Sequence, residues 1–406
     1  MKLTNRLSLM AALVAIPMGL SAQTPPKIGG LIQVWYTQMT DSNLRNNSAA
    51  PMGYYNLRSE FKENGFNLRR AEISLNGGVL PNVDYTVVID PSINTSATNP
   101  TILQDVFITY KMGALQFKLG EFKTLQTYEG NISSSELLFA ERSQLGRVFG
   151  DKRDRGAVAS YQFGEPGKDF ATKLSAGVLN GMSDAISGKA GDTNAQKDFI
   201  ARLDFSLGKT HKFGAYTLQG STDQADKGGL KAMTFAGAGA PASSDVLANK
   251  DKTTNIGAFY VYQDENWHFS AEYLTGDLGR RFASVTSATV APALRDGLNQ
   301  KFTGYYVTGG YKFDAHSFLV RYDYLNYNSN DSGNTASYTA TAGTDYTPKY
   351  KETTFGYTYA FNPGVVKSAN AKINYILRSK NFLKPFGTET GEQGGNTLLA
   401  ALQVAF

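Results

Sequence analysis

The sequence predicts an all-β protein: a transmembrane antiparallel β-barrel of about sixteen strands, with its third long loop folded inward. Three observations point there. Segments of roughly ten residues alternate an apolar face with a polar or small one, which is the period of a strand. Short connections alternate with long ones along the chain, as in outer-membrane barrels with tight periplasmic turns and long outer loops. The first residues have the layout of an export signal.

Residues 1–22 are read as a signal peptide and residues 23–406 as the barrel domain. Lys2 and Arg6 precede an apolar run from Leu7 to Leu20, and Ser21-Ala22 precede polar sequence from Gln23. Leu20 is larger than the small residue usual three places before a cleavage site. The run is too short to span a bilayer comfortably. Export argues against nucleic acid as a partner, although the formal net charge is +5.

The strands follow in order. The first four are expected near 27–39, 66–77, 81–91 and 102–112. The next four are expected near 114–123, 154–164, 169–180 and 196–208. The third group lies near 211–222, 253–263, 265–276 and 300–313, and the last near 315–328, 349–362, 368–379 and 396–406. In Asp198–Leu207 the alternation puts Phe199, Ala201, Leu203 and Phe205 on one side and Arg202, Asp204 and Ser206 on the other. Tight turns such as Met112-Gly113-Ala114 and Gly208-Lys209-Thr210 alternate with long connections. The long ones are expected near 40–65, 92–101, 124–153, 181–195, 223–252, 277–299, 329–348 and 380–395. A soluble sandwich has no reason to collect every long loop at one end.

Composition agrees. Charged residues are 18%, aromatics 12%, and there are 41 Gly, which suits strands and turns. Mean hydropathy is −0.30, so no bundle of apolar helices crosses a membrane. The absence of Cys excludes disulfides, thiolate metal sites and Cys nucleophiles. Only His211, His268 and His316 remain for imidazole chemistry. No cofactor, metal or catalytic group is expected. The faint hydrolase candidate is His268 beside Ser270, with Glu272 on the same strand face.

With the apolar parity toward lipid, the opposite parity lines a wet lumen. Asp90, Asp105, Lys111, Lys118, Arg202 and Arg321 are expected there, in a wall of nearly balanced charge. Adjacent Arg69 and Arg70 pose a problem, because a regular strand sends neighbours to opposite faces. An Arg toward lipid costs about 2–4 kcal/mol at the midplane. Arg69 therefore sits high on the wall, or a bulge turns both inward, or a neighbouring subunit covers it; the first two are favoured. Residues 124–153 differ from the other loops. The stretch Leu137-Leu138-Phe139-Ala140 needs somewhere to pack, and the barrel interior provides it.

The runs Phe66-Asn67-Leu68-Arg69-Arg70-Ala71-Glu72-Ile73, Gln104 to Lys111, Lys118-Leu119-Gly120-Glu121-Phe122-Lys123, Glu141-Arg142-Ser143 and Asp154-Arg155-Gly156-Ala157 resemble the phosphate-selective porin O and P family. The resemblance is good over about 66–208 and thin beyond. It implies a homotrimer of sixteen-stranded barrels in the bacterial outer membrane, each an anion pore, with phosphate or polyphosphate as solutes. By the same resemblance, Arg69, Arg70, Lys123 and Arg142 are anion contacts at a constriction, and Asp90 and Asp105 moderate them. The Arg ladder of the family's phosphate specialists is not traceable in the later strands. The ending Leu398 to Phe406 resembles the C-terminal signature read by the barrel insertion machinery. The expected function is passive diffusion of small hydrophilic solutes with a preference for anions. An outer-membrane barrel with a hydrolase, structural or adhesive role is the alternative.

Overall fold

Sixteen antiparallel strands close on one another in sequence order, with β1 paired to β16. The first four are β1 (Thr24–Met39), β2 (Gly65–Leu80), β3 (Val83–Ile89) and β4 (Leu103–Met112). Next come β5 (Leu115–Lys123), β6 (Arg153–Phe163), β7 (Phe170–Leu179) and β8 (Asp198–Leu207). The third quarter is β9 (His211–Thr222), β10 (Asp251–Gln263), β11 (Trp267–Ser284) and β12 (Ala293–Phe313). The last is β13 (His316–Asn326), β14 (Lys349–Ala360), β15 (Ala369–Arg378) and β16 (Thr397–Ala405). The computed structural model describes residues 24–40, 65–92, 102–181, 197–222, 251–284, 293–327, 329–330, 349–365, 368–379 and 396–406. The expected signal peptide and most of the expected long loops lie outside them.

The expected closure, strand number and alternation are all present. A strand of ten residues runs about 33 Å, and at a tilt near 40° it rises about 25 Å, the height of an apolar band. Outward side chains such as Ile32, Val34, Ile108, Leu119, Phe318 and Val320 are exposed, as a lipid-facing parity requires. Aromatic side chains gather near the short turns, with Trp267 tilted against Tyr311 at 4.7 Å and Phe205 stacked at 5.0 Å on Phe213. Rings of this kind suit the boundary between apolar band and water.

Two departures from a regular ladder matter. Gln33 pairs with Arg70 and Val34 with Leu68, so Arg69 is the extra residue of a β-bulge. The bulge abolishes the parity conflict of the two adjacent arginines, which was one of the solutions expected. The second departure corrects the connection expected at 277–299. β11 runs to Ser284 and β12 starts at Ala293, with register shifts near Arg281. In 277–284 and 293–300 the sequence carries no sustained alternation of apolar and polar residues to reveal the strand.

The buried apolar core lies between residues 124–152 and the wall. Leu145, Phe302, Trp35 and Tyr306 are almost wholly buried in one cluster, and Phe149 stacks at 4.3 Å on Phe302. Each such side chain contributes roughly 2 kcal/mol on burial. A second cluster joins Phe122, Val158, Leu179, Ile200 and Leu218 across β5–β9.

Candidate functional site: residues 124–152 and the facing cavity

The connection between β5 and β6 has its own local structure. A one-turn helix, α1 (Tyr128–Asn131), is capped by Thr127, whose Oγ1 accepts from Gly130 N at 2.9 Å. A 3-10 turn follows at Ser134–Glu136 and a π turn at Gly146–Gly150. Gly130 and Gly150 lie so close that a Cβ on Gly130 would come within 2.4 Å of Gly150 Cα. That contact brings the two ends of the connection together.

Its backbone then meets side chains from distant strands, all of the buried polar parity. Tyr128 N donates to Glu272 on β11 at 2.6 Å. Gln144 N donates to Asp323 on β13, and Ala140 N to Asn374 on β15, each at 2.8 Å. Lys372 on β15 donates to the carbonyls of Leu137 and Phe139. Gln403 on β16 donates to Ser135 O at 2.9 Å. Buried backbone groups are costly without partners, so these pairings define where the segment rests.

The arginines expected at a constriction hold this segment. Arg142 is 0% exposed. It donates to the carbonyls of Glu129 and Ile132 and to Asp151 at 2.8–3.0 Å. Arg69 meets Glu141 at 2.7 Å and lies over the Trp35 ring. Arg70 donates to Gln33 at 2.6 Å and comes within 3.8 Å of Glu141. Arg321 meets Asp323 at 2.8 Å and donates to the carbonyls of Glu141 and Arg142. Arg202 meets Asp204 and donates to the carbonyls of Leu125 and Thr127. Asp90 is a turn acceptor for Ala71 N and Ser92 N at 3.0 Å. Lys111 pairs with Asp84 near the β4–β5 turn, with both side chains exposed.

The carboxylates of the segment are tightly held. Burial opposes the charge on Glu141, but Arg69, Arg70 and Arg147 outweigh it and hold the carboxyl well below the usual range. Asp151 is likewise penalised by burial and held down by Lys123, Arg142 and Arg153. The Arg147 guanidinium is opposed by burial and raised by Glu352 and Tyr350.

A cavity of about 380 Å³ lies between the segment and strands β1–β6. Lys118, Lys123, Arg153, Asp105, Glu72 and Ser133–Ser135 line it. Arg153 is bidentate to Asp105 at 3.2 and 3.4 Å. Lys123 reaches Asp151 at 3.1 Å and Gly130 O at 2.9 Å. Lys118 lies over Phe107 at 4.4 Å and Phe122 at 5.5 Å, with no carboxylate within ion-pair distance among the described residues. Of the residues expected at the site, Lys118, Lys123 and Asp105 therefore meet at the cavity. Arg69, Arg70, Arg142, Arg202 and Arg321 meet at the segment's anchors. Arg153 and Glu72 are not among the anion contacts the resemblance implies, although Arg153 directly precedes the run Asp154-Arg155-Gly156-Ala157.

The hydrolase alternative gains nothing from the geometry. His268 Nε2 lies 3.1 Å from Ser270 Oγ, but Glu272 instead accepts from Tyr128 N and Tyr216 OH. No carboxylate orients the imidazole among the described residues.

Comparison with known proteins places this arrangement. The model of the phosphate-selective porin O and P family matches residues 50–364. A search of curated protein sequences finds no match. Among solved structures, the outer membrane channel DcaP of Acinetobacter baumannii is similar at a TM-score of 0.56 and 10% identity. That match covers 94% of this chain and 97% of DcaP. An anion-selective porin from Comamonas acidovorans matches at 0.53 and 10% identity, over 95% of this chain and all of the other. The trimer form of the outer membrane protein OmpT of Vibrio cholerae matches at 0.53 and 11% identity, again over 95% and 100%. At these identities the three share the fold.

Proposed function

Because the chain belongs to the phosphate-selective porin O and P family, we propose that it is an outer-membrane channel for passive diffusion of small hydrophilic solutes, with residues 124–152 folded into the lumen as the constriction. The observation that carries this reading is the division of labour among the cations. The buried arginines fix the segment against the wall, while Lys118, Lys123 and Arg153 edge the space left beside it.

In this reading anions are preferred because Lys118 offers a charge with no carboxylate beside it. Its ammonium is a compact charge, which attracts an oxyanion without the bidentate grip of Arg. A channel must release what it binds, so a moderate contact serves better than a tight one. The family name suggests phosphate, and polyphosphate presents the same oxygens. Arg69, Arg70 and Arg142 then act on the anion by positioning the segment. The chain acts as a homotrimer after removal of residues 1–22, and the insertion machinery recognises its last strand.

Purified protein in planar bilayers tests the reading. Stepwise conductance with a reversal potential of anionic sign in a salt gradient is expected. A protein that inserts yet gives no conductance steps overturns the channel. Chemical cross-linking in outer-membrane vesicles should give a three-chain product.

A further inference from the structure

The cavity beside residues 124–152 carries both signs of charge in its lining. Glu72 on β2, Asp105 on β4, Lys118 on β5 and Arg153 on β6 all border it. Arg153 and Asp105 partly satisfy one another. Lys118 has no such partner among the described residues and rests over aromatic rings, whereas Glu72 is held more loosely, in an ion pair with Arg70 Nε at 3.6 Å. The cavity thus presents an available cation and a loosely paired carboxylate in one space, with the hydroxyls of Ser133–Ser135 and the apolar surfaces of Leu31, Val88 and Phe107 beside them.

From this pairing we infer that the cavity is a binding site for small zwitterions of the amino-acid type. The solute's carboxylate meets Lys118 and its ammonium meets Glu72. A simple anion gains from Lys118 alone, and a simple cation from Glu72 alone. A zwitterion gains from both at once and leaves its side chain against the apolar part of the lining. The volume, about 380 Å³, falls within the roughly 300–1,000 Å³ of small-molecule sites. Partly wet ion contacts of this kind are weak, which suits a solute that must leave again.

The inference rests on the channel reading, and the experiment separates the two. Chloride current through single channels is recorded with added L-alanine, with propionate as the carboxylate alone, or with lactamide as the neutral isostere. In the wild type, alanine should reduce the current at concentrations about threefold lower than propionate requires, the gain expected of one further weak ion contact. Lactamide should have no effect beyond viscosity. Lys118→Met should abolish the effects of both alanine and propionate. Glu72→Gln should lose the threefold advantage of alanine while still responding to propionate. Chloride steps in each variant report that it has folded and inserted. Absence of chloride steps from inserted wild-type protein overturns the channel reading itself. Chloride steps with alanine behaving as lactamide overturn the zwitterion site. So does an alanine effect that Glu72→Gln leaves unchanged, because the site is then for carboxylates alone.

Discussion

Arg147 of the β5–β6 connection and Glu352 of β14 form an ion pair at 3.2 Å in which both side chains are almost fully buried. Glu352 also meets Arg378 at 3.1 Å and Arg321 at 3.9 Å. Removing this one carboxylate leaves three guanidinium groups without a shared counter-charge. Glu352→Ala is expected to cost about 3–5 kcal/mol, the penalty for breaking a buried pair from one side. The check is the temperature at which the folded barrel loses its compact migration in detergent gels, which should fall clearly below wild type.

The close approach of Gly130 and Gly150 offers a test that touches no charge. A Cβ on Gly150 would lie 1.7 Å from Thr127 Oγ1, the atom that caps α1. Thr127 already holds a left-handed backbone at φ 56°, costly for a β-branched residue. Gly150→Ala should displace the cap at a cost of about 1–3 kcal/mol. Single-channel records should show larger and noisier conductance as the segment loosens at its base.

Lys118 and Arg142 should separate in ion selectivity. Lys118→Met removes a charge at the edge of the cavity. Two unit charges at about 4 Å interact by about 1 kcal/mol in a watery setting, so the anion-to-cation permeability ratio should fall about fivefold. Arg142 is sealed among carbonyls, so Arg142→Met should act first on channel noise and thermal stability. Reversal potentials measured for both variants in the same salt gradient decide the order.

The carboxylates of the segment set its pH tolerance. Glu141 and Asp151 are held below their usual range, so ionic attachment stabilises the folded segment fully above the unfolded pKa, near 4. That stability declines as pH drops below about 4 and disappears only through the lower folded values. The attachment made by these two carboxylates should therefore persist from pH 7 to about 5 and fail in strong acid, where conductance becomes unstable. A single-channel series across that range checks it.

Much of the wall was legible from period two alone, since lipid outside and water inside write opposite chemistry on alternate residues. β9 and β14 begin where the alternation begins, at His211 and Lys349. The ends of β11 and β12 were hidden because 277–284 and 293–300 carry no sustained alternation of apolar and polar residues. The bulge at Arg69 was readable as a conflict between two neighbouring arginines. The roles of the cations were less readable. Arg142 and Lys118 both look like lumen charges in sequence, but Arg142 is closed in by carbonyls from its own segment. Partners so arranged are a property of the folded loop, and no spacing in the chain records them.

The segment between β5 and β6 also has a mechanical consequence. A closed ring of strands can flatten toward an oval while keeping its ladder bonds. Hydrogen bonds from this segment to β11, β13, β15 and β16 make it a strut that should stiffen that arc against flattening. Arg69 and Arg202 tie it to β2 and β8 as well, so deformation is expected around β3 and β4, which border the cavity. The bore should thereby respond to the lateral pressure of its surroundings. Conductance should shift when the acyl chains of the bilayer are shortened or lengthened, and Glu352→Ala, by loosening the strut, should flatten that dependence.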